Sequence, residues 1–174
     1  SDTGQLVLDS TKRQFTANAP RLRSVVGFFG DAPVQLGDIK ITSRTPFAAI
    51  PIVALDDAKD IASSRRLLVT AVARAENTGQ ATIQTKAVKK GLDADTGAFL
   101  PQSNIAIAQH GRAPVLAEPV DADITLPPIG PRPIRAYALN ETGQKTHDLG
   151  FRIAGNRPLV NLRNARSPWI LIER

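Results

Sequence analysis

Apolar residues recur at every second position along most of this chain, and this period limits the folds open to it. Leu6 and Leu8 occupy alternate positions, as do Phe15 and Ala17, and a turn at residues 10–13 separates the two pairs. Successive side chains of a β-strand point to opposite faces, whereas an amphipathic helix needs a period near 3.6. No segment has a convincing helical period, and six Pro residues exclude a helix from residues 114–133. The sequence therefore predicts an all-β protein.

About ten short strands are predicted, with turn signals about every 8–14 residues. The segment Arg66–Arg74 (RLLVTAVAR) is predicted as a central strand. The segment Phe47–Leu55 (FAAIPIVAL) contains Pro51, which cannot donate to a ladder, so an edge strand or a bulge is predicted there. Such a series is typical of an antiparallel β-sandwich of the jelly-roll or immunoglobulin-like type. The other predicted strands lie in a hairpin at 5–19 and at 23–29, 34–42, 81–88, 104–108, 120–126, 134–139, 146–153, 159–162 and 169–173.

One domain is predicted over residues 1–174. A chain of 174 residues is long enough to bury a full core, and no linker divides it. The sequence contains no Met, even at its first residue, and shows no signal peptide. We therefore expect a segment excised from, or processed out of, a longer polypeptide.

Composition excludes several chemistries. There is no Cys, which excludes disulfides, zinc–thiolate sites, cysteine nucleophiles and iron–sulfur clusters. With only His110 and His147, a three-histidine metal site is impossible. Apolar runs fall far short of the roughly 18 residues that a membrane helix needs, so no membrane partner is expected.

The net charge of +6 is spread evenly along the chain. The even spread favours a solvated, mildly basic surface, with an affinity for anionic polymer as the alternative. No nucleic-acid recognition motif accompanies the charge, so no nucleic-acid partner is expected.

No catalytic constellation is visible in the sequence. A Gly-x-Ser-x-Gly nucleophile frame, a phosphate loop and a dinucleotide fingerprint are all absent. Glu76 ends the predicted central strand, where a carboxylate could act with a second one as in glycosidases. Capping of a turn or pairing with an Arg is the commoner role, so a small β-sandwich enzyme that uses Glu76 is a minor alternative.

Two acidic pairs could attract calcium. Asp93-x-Asp95-x-Gly97 resembles the start of a calcium loop but lacks the later ligands of a full motif. Asp121 and Asp123 would share one face of a strand, which is a weaker signal. The prediction is no resident cofactor, with calcium at Asp93 and Asp95 as the alternative.

Exposed aromatic rings are the usual sugar-binding elements of β-sandwiches, and Trp169, Tyr137 and Phe99 are the candidates. Aromatic residues make up only 5% of the chain, which argues against a dedicated carbohydrate-binding face. For Trp169, which follows Pro168, a place in the core or at an interface between domains is favoured over sugar binding.

Three segments together resemble a known kind of domain. In order and spacing they resemble the β-sandwich domain that follows the catalytic barrel in some bacterial glycoside hydrolases of the (β/α)8 type, and the opening hairpin resembles its start. The sequence differs in its final aromatic pair, Trp169-Ile170, and in a longer loop at 91–112. The three segments are 65–79 (RRLLVTAVARAENTG), 134–144 (IRAYALNETGQ) and 167–173 (SPWILIE).

The resemblance implies a non-catalytic accessory domain of a polysaccharide-degrading enzyme, with no catalytic residues of its own. Its partner would be the catalytic domain of the same polypeptide, with polysaccharide as a further partner, and its location extracellular or periplasmic. The alternative is an independent carbohydrate-binding module. A domain that packs on a catalytic domain should have a sizeable exposed apolar surface, so the accessory hypothesis requires one.

Overall fold

The computed structural model describes residues 2–84, 105–128 and 133–174, and these residues form strands and no helix. Every pairing between strands is antiparallel, which confirms the all-β prediction. These described residues contain seventeen short strands, where about ten are predicted for the chain. In chain order they are β1 (Leu6–Asp9), β2 (Gln14–Ala19), β3 (Leu22–Phe28), β4 (Val34–Leu36), β5 (Ile39–Ser43), β6 (Phe47–Ala54), β7 (Arg66–Thr70), β8 (Ala75–Thr78), β9 (Ala81–Gln84), β10 (Ile105–Gln109), β11 (Arg112–Ala117), β12 (Ala122–Thr125), β13 (Arg135–Leu139), β14 (Lys145–Asp148), β15 (Arg152–Ala154), β16 (Arg157–Asn161) and β17 (Trp169–Glu173).

Contacts within the chain form two compact units. Unit 1 comprises Ser1–Arg74 and Glu118–Arg174, and unit 2 comprises Ala75–Ala117. The chain leaves and re-enters unit 1 at adjacent points, because the Glu118 N–H donates to the Arg74 carbonyl at 2.8 Å. Nothing here tests the prediction of a single domain over residues 1–174, which stays a prediction.

Unit 1 contains two antiparallel sheets. The larger has eight strands in the order β1-β2-β3-β6-β7-β17-β13-β14, and the smaller has five in the order β15-β16-β12-β5-β4. The inner faces of the two sheets contribute to one hydrophobic cluster, so unit 1 is a β-sandwich. Its largest fully buried side chains are Val25, Ile39, Ile41, Ile50, Ile52, Ile61, Leu67, Val69, Ile124, Leu126, Ile170 and Ile172.

Pro51 lies in an inner strand, which overturns the prediction of an edge strand or a bulge. Strand β6 pairs with β3 on one side and β7 on the other, with no shift of register. The Ala49 N–H donates to Val72 at 2.8 Å, so the nitrogen of Pro51, two residues on, also points toward β7. The β6–β7 ladder is interrupted there, between the paired residues Ile52–Ala54 and the isolated bridge at Ala49. The sheet thus tolerates the absence of one backbone N–H donor at an inner position.

Most other predicted strands are found, with different limits. The 5–19 hairpin forms β1 and β2, and the predicted break at 37–38 separates β4 from β5. The predicted central strand is β7, which lies between β6 and β17. The predicted strand at 146–153 is two strands, β14 and β15, in different sheets, and β11 was not predicted at all.

Unit 2 is a two-stranded ribbon in its described part. Strand β8 pairs with β11, and β9 pairs with β10, with a register shift within each pair. Gly111 connects β10 to β11. An added Cβ there would lie 2.6 Å from the Thr78 carbonyl oxygen, and the φ of Gly111 is +69°, so this position requires glycine. The ribbon exposes the large apolar side chains Ile83, Ile105, Ile107, Val115 and Leu116.

Candidate functional site

The outer face of the eight-stranded sheet is the most unusual surface of unit 1. Ile50 and Ile52 of β6 point into the core, so Ala49, Pro51 and Val53 point outward. Residues that pair across neighbouring strands share a face of the sheet. The outward residues of β6 therefore identify the outward residues of the other strands.

Three rows of cross-strand neighbours cover this surface, and we call them the outer face. They run across seven of the eight strands, from β1 to β13, and are apolar apart from Ser24, Thr70 and the Tyr137 hydroxyl. The rows are Leu8, Phe15, Val26, Ala49 and Val72; then Leu6, Ala17, Ser24, Pro51, Thr70 and Trp169; then Ala19, Leu22, Val53, Leu68, Leu171 and Tyr137.

Exposed apolar side chains are concentrated on this face. Among the described residues of unit 1, nine of the twelve large exposed apolar side chains lie on it or at its margin. A sheet with one solvated face normally alternates apolar and polar residues. The outer face therefore has the composition of a covered surface. The nine are Leu6, Leu8, Phe15, Phe28, Phe47, Val53, Leu55, Val72 and Trp169.

Charged residues of β13, β14 and β17 border the outer face. Lys145 Nζ contacts Glu173 Oε2 at 2.6 Å, and it also lies 4.3 Å from the centre of the Tyr137 ring. Arg135 pairs with Asp148 at 3.2 Å. An apolar centre with a charged rim is the usual anatomy of a protein interface.

At the opposite margin, Phe28 and Phe47 pack edge to face with ring centres 5.1 Å apart. The Arg13 guanidinium lies 4.1 Å from the centre of the Phe28 ring. The apolar surface continues through this pair beyond the three rows.

Trp169 and Tyr137 lie on the same face, as diagonal neighbours on β17 and β13. Tyr137 is directly opposite Leu171, two residues from Trp169. The Trp169 side chain is 38% exposed, so it is not a core residue, whereas Tyr137 is half-buried under Lys145. The structure thus brings the two predicted aromatic residues to one surface but leaves only Trp169 well exposed.

A cleft of about 380 Å³ lies beside Trp169, and we call it the Trp169 cleft. It is formed by the β13–β14 turn and the segment that leads into β17. Tyr137 does not line it. Its lining residues are Leu139, Asn140, Glu141, Thr146, His147, Ala165, Arg166, Ser167, Pro168 and Trp169.

Asp121 and Asp123 are engaged by cations of the chain itself. Arg44 contacts Asp121 Oδ1 at 3.1 Å and Asp123 Oδ2 at 2.8 Å. Burial raises the pKa of Asp123, but the hydrogen bond from Asn161 and the ion pair with Arg44 outweigh it and hold that pKa below its usual value. The ion pairs occupy the carboxylate oxygens that a calcium site would need.

The remaining predicted site residues are placed as follows. Asp93, Asp95 and Phe99 lie outside the described residues, so their predictions stay predictions. Glu76 lies within β8 of unit 2, opposite Leu116, and not at a strand end. Among the described residues, no group of three or more His, Asp or Glu side chains could hold a metal ion.

Sequence reasoning missed the outer face as a unit, although a signal for it exists. The segments FAAIPIVAL, VVGFF and WILI are continuous apolar runs, where a strand with one solvated face would alternate. Continuous runs in several paired strands indicate a sheet that is covered on both sides.

No family model, curated protein or solved structure matches this chain. In the part of the chain that the structure describes, there is no helix of the length and hydropathy needed to cross a membrane.

Proposed function

We propose that this chain is a non-catalytic accessory β-sandwich of a polysaccharide-degrading glycoside hydrolase, which packs through its outer face on the catalytic domain of the same polypeptide. The observation that carries the proposal is the apolar outer face, with its charged rim. An accessory domain that packs on a catalytic domain requires an apolar surface of this kind.

The size of the outer face suits a contact between domains. Seven strands about 4.8 Å apart, with three rows spanning about 14 Å along them, cover an area of roughly 470 Å². The largest apolar patch on ordinary monomers is about 300–600 Å², and a stable interface buries about 800 Å² on each partner. The outer face lies in the range of the largest monomer patches, and its Phe28–Phe47 margin extends it toward the size of an interface.

Linkage in one polypeptide makes such a contact favourable. Burial of roughly 470 Å² of such surface would yield a gross gain of at most about 12 kcal/mol. Two separate molecules would lose much of this gain through translational and rotational entropy, whereas linked domains lose less.

The kind of partner is supported by the three resembling segments, at 65–79, 134–144 and 167–173. All three form part of the outer face: the first contributes β7, the second contributes β13 with Tyr137, and the third contributes β17 with Trp169 and Leu171. A polysaccharide substrate in turn supports an extracellular or periplasmic location, since such polymers lie outside the cell.

The proposal is tested in the full polypeptide that the reading frame encodes, where a (β/α)8 barrel is expected next to this segment. A double variant, Leu8→Lys with Val53→Lys, places two charges on the outer face. Val7→Lys with Ile153→Lys adds the same charge at exposed positions off that face. We expect only the outer-face pair to lower the melting temperature of the barrel, by several degrees, and to increase proteolysis between the domains.

Two results would overturn the proposal. One is a reading frame without a glycoside hydrolase barrel. The other is a stable homodimer of the isolated chain in analytical ultracentrifugation that the outer-face pair converts to monomers, because a second copy would then be the natural occupant.

A further inference from the structure

The Trp169 cleft has the features of a small-ligand site, and we infer that it binds a neutral pyranose unit of an oligosaccharide through the indole of Trp169. The inference does not rest on the proposed function, but the two share Trp169, which lies on the outer face and at one edge of the cleft. It is therefore stated for the isolated β-sandwich, in which this residue is 38% exposed.

The size of the cleft suits one or two sugar rings. Ligand sites in proteins usually have volumes of about 300–1,000 Å³, and the Trp169 cleft has about 380 Å³. Its lining combines an exposed indole, the apolar residues Leu139 and Pro168, and several polar side chains.

Hydrogen bonds hold the walls of the cleft in place. The Ser167 hydroxyl donates to the Leu139 carbonyl at 2.5 Å and accepts from the Trp169 N–H at 3.1 Å, which fixes the backbone on which the indole is mounted. The Asn140 side chain accepts from the backbone N–H of Thr142 and Gln144 and so orders the β13–β14 turn. These polar groups are occupied and define the shape of the site.

His147 has a structural role in the wall. Its Nε2 lies 3.0 Å from the Asn164 carbonyl oxygen, which can only accept, so Nε2 carries the proton. Its Nδ1 lies 3.2 Å from the Thr146 hydroxyl oxygen, and the Thr146 hydroxyl itself donates to the Ala138 carbonyl at 3.1 Å. Through Nε2 the imidazole joins β14 to the segment before β17.

Two charged groups remain available to a ligand. Among the described residues, neither the Glu141 carboxylate nor the Arg166 guanidinium has a hydrogen-bond or ion-pair partner, and both line the cleft. Arg166 has a φ of +49°, in the left-handed region that non-glycine residues rarely adopt. Strain of this kind concentrates at binding sites, and here it directly follows the buried Ala165.

The three groups match the surface of a pyranose. One face of an equatorially substituted ring presents C–H groups, which pack on an indole, while its hydroxyls point outward around the rim. A carboxylate accepts hydrogen bonds from hydroxyls and a guanidinium donates to them. The opposite charges of Glu141 and Arg166 balance, which favours a neutral sugar over an acidic one.

Trp169 is the only tryptophan of the chain, so tryptophan fluorescence reports on the surroundings of this one side chain, and the variants below assign a change to the cleft. The isolated protein is titrated with cellohexaose, xylohexaose, mannohexaose and laminarihexaose, each up to about 10 mM, a range that covers weak binding. With at least one of them we expect a saturable change in emission and slower quenching by acrylamide. No saturable change with any of the four would overturn the inference.

Variants locate the binding. Arg166→Ala and Glu141→Gln should each raise the dissociation constant about fivefold or more while the melting temperature stays close to that of the parent. Arg163→Ala, which removes an exposed Arg outside the cleft, should leave it unchanged. Equal dissociation constants in all three variants would overturn the assignment to this cleft. Because the titration uses the isolated chain, its failure would leave the proposed docking of the outer face untouched.

Discussion

The backbone N–H of Glu118 donates to the carbonyl of Arg74 at 2.8 Å, so the two ends of unit 1 at which unit 2 is inserted are hydrogen-bonded neighbours. A short turn can bridge them. We predict that replacing residues 75–117 with a Gly-Ser linker of about four residues leaves unit 1 folded, because no strand of its two sheets is removed. Circular dichroism and a cooperative melting transition check this, and loss of that transition would contradict it.

Gly27 is required on β3, where it lies opposite Gln14 and against the end of the β1–β2 turn. Its φ is +142°, and an added Cβ would lie 2.2 Å from the Arg13 carbonyl oxygen. Gly27→Ala should lower the free energy of unfolding by about 3 kcal/mol, through the backbone strain and the clash. Gly30→Ala is the matched control, since nothing lies within 4 Å of its added Cβ. Urea unfolding measures both, and equal midpoints would refute the prediction.

Ile170 joins the two halves of the larger sheet through the core. It is fully buried on β17, opposite Val69 of β7 and Ala138 of β13. Ile170→Ala should lower the free energy of unfolding by about 3–4 kcal/mol, as expected for a cavity in a packed core. Ile153→Ala, at a side chain that is 58% exposed, should change it by less than about 0.5 kcal/mol. Denaturant titration separates the two, and similar losses would contradict this description of the core.

Asp56 makes stability depend on pH in acid. The hydrogen bond from the Ser64 hydroxyl at 2.7 Å, and the one from the Arg65 N–H, outweigh burial and lower the pKa of Asp56 below its ordinary value of 3.8. A carboxyl whose pKa is lowered by folding stabilises the protein above its unfolded pKa, and this contribution is lost as the pH falls through the folded pKa.

Asp56→Asn should therefore destabilise the protein at pH 7 by about 1 kcal/mol. The difference from the parent should persist down to about pH 5 and shrink below the ordinary pKa of 3.8. Asp57→Asn, at an exposed neighbour, is the control. Melting temperatures measured from pH 7 to pH 2.5 check the prediction, and a constant difference over that range would rule it out.

Local pattern predicted the strands well where side chains alternate or a glycine marks a turn. The β1–β2 hairpin and the β4–β5 turn at Gly37 follow from such signals. Proline misled the prediction twice. Pro51 suggested a sheet edge, although it lies in an inner strand that tolerates one missing donor, and Pro114 concealed β11, where it lies at a register shift.

The candidate sites depend on pairings that local pattern does not encode. Trp169 was identified as an interface or sugar-binding residue, but Arg166 and Glu141 come to its side only because β17 pairs with β13 and the β13–β14 turn folds over that end. Likewise, the outer face exists as a surface only once the order of the eight strands is known.

The position of β17 has a consequence for how the protein is made. It is the last strand in chain order, yet it lies between β7 and β13, and its pairing with β7 joins residues roughly 100 positions apart. Until β17 has left the ribosome, the edges of β7 and β13 stay open and the sheet is in two pieces. The larger sheet is therefore completed after synthesis of its other strands, and a ribosome that stalls before Trp169 would release a chain with two unpaired, aggregation-prone edges.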